Sequence, residues 1–190
     1  MKNKFVFLGD SLTFGYGLHY NEGWVYMISE NSNETIINKG INGDTTTSML
    51  DRFYDDVICN SPNKIFIMGG TNDLLLGHSV DSIVENLDEL IKDSLKVTSE
   101  VYIGIPPYII KEMANRLFIP SPFYNYCEES LPILKNKIIH LCNVHKIKYI
   151  DFYTITKDNA NNNIFSDGIH LNSPGNTLLY KTALNVFTLN

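Results

Sequence analysis

A serine, a histidine and an aspartate stand where they could share one reaction. Ser11 follows the unbroken apolar run Phe5-Val6-Phe7-Leu8 and the turn formers Gly9-Asp10. His170 lies three residues after Asp167 in Phe165-Ser166-Asp167-Gly168-Ile169-His170-Leu171-Asn172. A serine hydroxyl is a weak nucleophile until a base takes its proton, and a neutral imidazole suits that task. Asp167, across a glycine-containing turn, can fold back to orient the His170 ring and stabilise the imidazolium. A carbonyl attacked by the serine develops an oxyanion, which needs fixed donors. The backbone N–H groups of Ser11 and Gly43 and the side-chain amide of Asn72 can supply three. Gly43 suits the role because a missing Cβ lets a substrate oxygen reach the backbone. Plainer readings stand beside these. Asp10 and Ser11 are ordinary helix-capping types, and Asp10 and Asp73 are turn formers. Asp167 and His170 have the spacing of a metal pair, although further ligands of the right type are not grouped with them.

Such residues act together only if the chain carries them to one place. Phe5–Leu8 reads as a strand buried on both faces, the habit of a parallel sheet, with Gly9 allowing a sharp turn after it. Trp24, Val25 and Ile28 share one helical face between Glu22 and Asn31. The β-branched run Thr35-Ile36-Ile37 is a second strand, and Gly40 and Gly43 follow it. Met49, Leu50, Phe53, Tyr54, Val57 and Ile58 predict a helix from Thr45 to Ile58. Ile65–Met68 is a third strand, ending in Gly69-Gly70-Thr71-Asn72-Asp73, and the cleanest amphipathic helix runs from Val80 to Leu95. Val101–Ile105 and Lys148–Phe152 are the fourth and fifth strands. Tyr108 to Tyr126 reads as an irregular segment rich in large apolar residues, which could form a lid or an acyl-binding wall. A helix follows around Leu131–Cys142. Ser173-Pro174 starts the last helix. Strand and helix alternate, so the expected architecture is one three-layer α/β domain over residues 1–190 with a five-stranded parallel sheet. Right-handed crossovers place the carboxyl ends of all strands on one edge, where Ser11, Gly43 and Asn72 each follow a strand.

Composition narrows the classes. The chain has 190 residues, a hydrophobic fraction of 44% and a net charge of −6, with no basic run or stripe. Nucleic acid and anionic membrane surfaces are poor partners for it. The apolar stretch after Lys2 and Lys4 is cut short by Gly9-Asp10-Ser11, too soon for an export signal, and no run is long enough to span a membrane. Three scattered cysteines, Cys59, Cys127 and Cys142, read as reduced thiols, and a cytoplasmic location is expected. His19, His78, His140 and His145 have no partner motif; of them, His78 follows the loop after the third strand and could touch a substrate.

The blocks Gly9-Asp10-Ser11-Leu12, Asn38…Gly40…Gly43-Asp44-Thr45, Gly70-Thr71-Asn72-Asp73 and Asp167-Gly168-Ile169-His170 together resemble the GDSL or SGNH hydrolases. Their order and spacing match across nearly the whole chain. The resemblance implies a flavodoxin-like sheet in the order 2-1-3-4-5 and esterase or lipase-like activity on a small-molecule ester, with no cofactor and no metal. It assigns the nucleophile to Ser11, the base to His170, its orienter to Asp167 and the oxyanion donors to Ser11, Gly43 and Asn72. An acyltransferase would share this chemistry and differ only in what resolves the acyl group. A flavin- or phosphate-binding module using the glycines from Gly9 to Gly17 is the alternative from another class, and it leaves Asn72, Asp167 and His170 unexplained.

Overall fold

The computed structural model describes residues 2–187 and 189. Five strands, β1 (Lys4–Gly9), β2 (Thr35–Gly40), β3 (Lys64–Met68), β4 (Glu100–Ile105) and β5 (Lys148–Asp151), form one sheet in the order β2-β1-β3-β4-β5. All the pairings are parallel, with Val6 opposite Ile37 on one side and Ile65 on the other. Alternation along β1 divides the core. Val6 and Leu8 face a cluster with Ile65, Ile67 and Ile103, while Phe5 and Phe7 face one with Phe66, Met68 and Tyr102. The expected sheet and its order are therefore present.

Helices cover both faces. On the aliphatic side lie α3 (Thr46–Asp51), α4 (Phe53–Asp56), α6 (Val80–Leu95) and α8 (Pro122–His145), which bring Met49, Phe53, Ile83, Leu87, Leu134 and Ile138 to the core. On the aromatic side α2 (Trp24–Glu30) and α10 (Ser173–Leu184) contribute Trp24, Ile28, Leu179 and Ala183. Full burial of one such side chain contributes about 1.5–3 kcal/mol, so each face is a cooperative block. Four further helices lie near the strand ends: α1 (Ser11–Phe14), α5 (Thr71–Leu75), α7 (Lys111–Leu117) and α9 (Phe152–Asp158).

Three boundaries differ from those read in the sequence. The single helix expected over Thr45–Ile58 is broken at Arg52, where φ is −100° and ψ 3°, and a 3₁₀ turn follows at Ile58–Asn60. Met49, Phe53 and Val57 stay buried on one face across the break, so the apolar spacing conceals it. The segment from Tyr108 to Tyr126 is mostly helical. Lys111–Leu117 forms α7, and Ser121 caps α8 by accepting from the Phe123 N–H at 3.2 Å, with Pro122 in the first turn. That helix then runs on through Pro132. Finally, Phe152 belongs to a helix and not to β5. Asp151 caps α9 directly, accepting from the Thr154 N–H at 2.9 Å.

Candidate active site

Ser11 sits at the first position of α1, at the carboxyl end of β1. Asp10 caps that helix by accepting the Leu12 N–H at 2.8 Å. The Ser11 N–H, one position earlier, has no acceptor within the helix by geometry and is available to an anion. The turn does not depend on a special conformation at Gly9. A Cβ there would lie 2.2 Å from Thr13 Oγ1 and 2.9 Å from the Met68 carbonyl oxygen, so close packing of α1 onto the strand ends requires glycine. Trp24 fixes α1 from below, its indole N–H donating to the Leu12 carbonyl at 2.9 Å. Asn38 holds the other side, donating to the Thr13 carbonyl at 3.0 Å.

The second and third strand ends meet beside Ser11. Gly43 is exposed, with φ +78°, and a Cβ added to it would touch nothing within 4 Å. Its conformation calls for glycine, and the space in front of it is open. The neighbouring Asp44 carbonyl accepts from Asn72 Nδ2 at 2.9 Å, which fixes one amide hydrogen and leaves the second to point elsewhere. Two charged anchors hold this loop. Arg52 donates to Asp44 Oδ2 at 2.7 Å, to Asp56 Oδ2 at 2.6 Å and to the Gly9 carbonyl at 3.0 Å. The fully buried Asp73 accepts from the Thr46 N–H at 3.0 Å and the Thr46 hydroxyl at 2.7 Å.

The segment that carries Asp167 and His170 is a narrow loop. Phe165 bridges Leu171, and the Ser166 N–H donates to the His170 carbonyl at 2.8 Å. Asp167 turns back inside it. Its Oδ1 accepts the N–H groups of Ile169 and His170 at 2.9 and 2.7 Å, while its Oδ2 lies 2.7 Å from His170 Nδ1. His170 Nε2 is 3.0 Å from Ser11 Oγ. Gly168, at φ +92°, lets the loop press onto the start of α7, where its carbonyl accepts from the Ile110 N–H at 2.7 Å. Asn176 of α10 ties this loop to α2. Its amide donates to the Leu171 carbonyl at 3.0 Å, and its oxygen accepts from the Trp24 N–H at 3.2 Å.

Electrostatics distinguish the two nearby carboxylates. Burial opposes ionisation of Asp167, but the hydrogen bonds from the His170 ring and from the His170 and Ile169 backbone outweigh it and hold the group below the ordinary carboxylate range. Asp10 goes the other way. Its burial pushes the carboxyl up to about 7, against the lowering effect of the Leu12 N–H and of His170, and Asp44 and Asp73 add to the rise. Its Oδ2 has no hydrogen-bond partner among the described residues.

The expected site residues Ser11, Gly43, Asn72, Asp167 and His170 thus share one edge of the sheet. Among the described residues, no three His, Cys, Asp or Glu side chains group as metal ligands would. Asp73 and Asp10, read as turn formers, are buried carboxylates at the base of the site. Arg52 was missed, since it sits in no block with a recognisable spacing. His78 is half exposed, with Nδ1 3.7 Å from Asp73 Oδ1. Of the expected acyl wall, Ile109 is buried and Ile110 packs on the aromatic core, whereas Leu117, Phe118 and Ile119 are exposed. No helix among the described residues is long and apolar enough to cross a membrane.

Comparison with known proteins places this arrangement. The model of the GDSL-like lipase/acylhydrolase family matches residues 7–178. An arylesterase from Vibrio mimicus is 31% identical over 123 residues, covering 60% of this chain and 62% of that protein. The chain spans less than two thirds of the length of the curated relatives it matches. A solved lipolytic protein of the G-D-S-L family from Veillonella parvula has a TM-score of 0.80 at 27% identity, over 97% of this chain and 98% of that one. A lipase/acylhydrolase from Enterococcus faecalis shares the fold, with a TM-score of 0.83 at 23% identity over 97% and 94% of the two chains. Since the family model runs from within β1 to the middle of α10, the chain belongs to the GDSL-like lipase/acylhydrolase family.

Proposed function

We propose that the chain hydrolyses carboxylic esters of short acyl groups through an acyl-enzyme on Ser11. The observation that carries this reading is the hydrogen-bonded series from Ser11 Oγ to His170 Nε2 at 3.0 Å and from His170 Nδ1 to Asp167 at 2.7 Å. Ser11 Oγ attacks the ester carbonyl as its proton passes to Nε2 of His170. Asp167, held ionised, keeps the proton on Nδ1 and stabilises the imidazolium. The carbonyl oxygen gains the electron pair and is met by the N–H groups of Ser11 and Gly43 and the free amide hydrogen of Asn72. Collapse of that intermediate breaks the bond to the alcohol oxygen, which takes the proton from Nε2. Water then repeats the sequence on the acyl group, with His170 as base, and releases the acid and the serine.

The preference for short acyl groups rests on the exposure of Leu117, Phe118 and Ile119, which leaves these apolar side chains facing solvent rather than enclosing a long chain. Similarity to an arylesterase supports aryl esters as the first substrates to try. The test is labelling with a fluorophosphonate probe together with turnover of nitrophenyl acetate. Ser11→Ala should lose both. Labelling that persists in the variant, or maps to another serine, would overturn the assignment.

A further inference from the structure

The ring of Tyr16 lies against the His170 imidazole, with centroids 4.6 Å apart and planes inclined by 42°. That spacing falls in the range of attractive offset aromatic pairs. The backbone puts the ring there. Gly15, at φ +91°, ends α1 in the left-handed conformation, and the Tyr16 N–H donates to the Ser11 carbonyl at 3.1 Å. Tyr16 is thus anchored on the residue that carries the hydroxyl, while its ring covers the residue that would deprotonate it. Core packing does not account for the position, because Tyr16 is 47% exposed. The imidazole has Asp167 on Nδ1, Ser11 on Nε2 and an aromatic ring on one face.

We propose that Tyr16 is a positioning residue for His170, its ring fixing the plane of the imidazole and favouring the imidazolium formed when Ser11 gives up its proton. The effect on catalysis rests on His170 being the base, as proposed above; the effect on the ring does not. An aromatic face beside a partly exposed cation favours the charged form by about two- to fivefold. The other charged groups facing His170 are Asp167 on its own loop and Asp10 at the start of α1, with Asp44 and Asp73 near Asp10. All four are retained when only residue 16 is changed, so a series at that position isolates the ring.

Tyr16→Phe keeps the aromatic face and removes the hydroxyl, and Tyr16→Leu keeps apolar cover and removes the face. Two readouts follow each variant: the His170 ring titration by NMR, and the pH profile of kcat/KM with nitrophenyl acetate. The Phe variant should match the wild type in both. The Leu variant should move the His170 midpoint and the acid limb about half a pH unit lower and reduce kcat about two- to fivefold, with KM changed less. A Leu variant with an unmoved titration overturns the proposal, as do Phe and Leu variants that depart from the wild type alike. If the ring titration shifts as expected while wild-type protein neither turns over the ester nor takes the fluorophosphonate, the contact stands and the hydrolase reading fails.

Discussion

Asp10 offers the sharpest test of the electrostatic argument. Its carboxyl is raised from 3.8 to about 7, and burial is the largest cause. The folded protein therefore holds this proton more tightly than the unfolded chain does, and stability falls as pH rises between those values. Each unit of difference corresponds to about 1.4 kcal/mol, so the penalty is of order 2 kcal/mol at pH 5 and of order 4 kcal/mol at pH 8. Asp10→Asn removes the titration and keeps Oδ1 as the cap for the Leu12 N–H. The new amide nitrogen replaces an oxygen that lacks a partner, which costs about 1–3 kcal/mol at every pH and cancels in a comparison across pH. Urea unfolding of both proteins at pH 5 and pH 8 is the assay. Moving to pH 8 should favour the variant over the wild type by about 2–3 kcal/mol more than at pH 5. Identical pH dependence in the two proteins would refute the claim that Asp10 is buried in a site hostile to its charge.

Other outcomes follow from the same geometry. His170→Ala should lower kcat about a thousandfold or more, and Asp167→Ala by a smaller factor, as measured with nitrophenyl acetate. Arg52→Met strips the Asp44 carboxylate, whose side chain is 7% exposed, of its guanidinium. It should cost about 3 kcal/mol in urea unfolding and reduce kcat more than KM, because the Asp44 carbonyl orients Asn72. In an acyl series, kcat/KM should peak at acetyl to butyryl esters; a continued gain of about 0.8 kcal/mol per methylene out to dodecanoyl would instead place the chain along Leu117, Phe118 and Ile119. Asp56, Asp88, Asp151 and Asp167 are all held below the ordinary carboxylate range by their hydrogen-bond partners, against the opposing effect of burial. Their contribution to stability is full above the unfolded value and should be lost as pH falls below about 4, readable as a drop in Tm.

The sheet was legible because β1, β3 and β4 are apolar on both faces, the habit of a parallel strand covered on both sides. Ser11, Gly43, Asn72, Asp167 and His170 were legible because each follows a strand or sits in a short turn with glycine. What escaped has physical reasons as well. The break at Arg52 is set by a guanidinium reaching the Gly9 carbonyl, a contact 43 residues away in sequence. In the segment from Tyr108 to Tyr126, α7 has only seven residues and α8 contributes only its first five, so no apolar period builds up there. The role of Gly9 was misread as freedom to turn, since a close approach by Thr13 and Met68 is invisible until the chain is folded.

Ser11 and His170 are 159 residues apart. At a synthesis rate of about 5–20 residues per second, roughly 8 to 30 seconds separate their appearance on a ribosome. Ser11, Gly43 and Asn72 all precede the fourth strand, so in the proposed mechanism the hydroxyl and its oxyanion donors are made well before the imidazole that would activate it. On that reading the nascent chain would carry a serine of ordinary reactivity during the interval, and would acquire its base only when the Asp167–His170 loop emerges and seats Gly168 against Ile110.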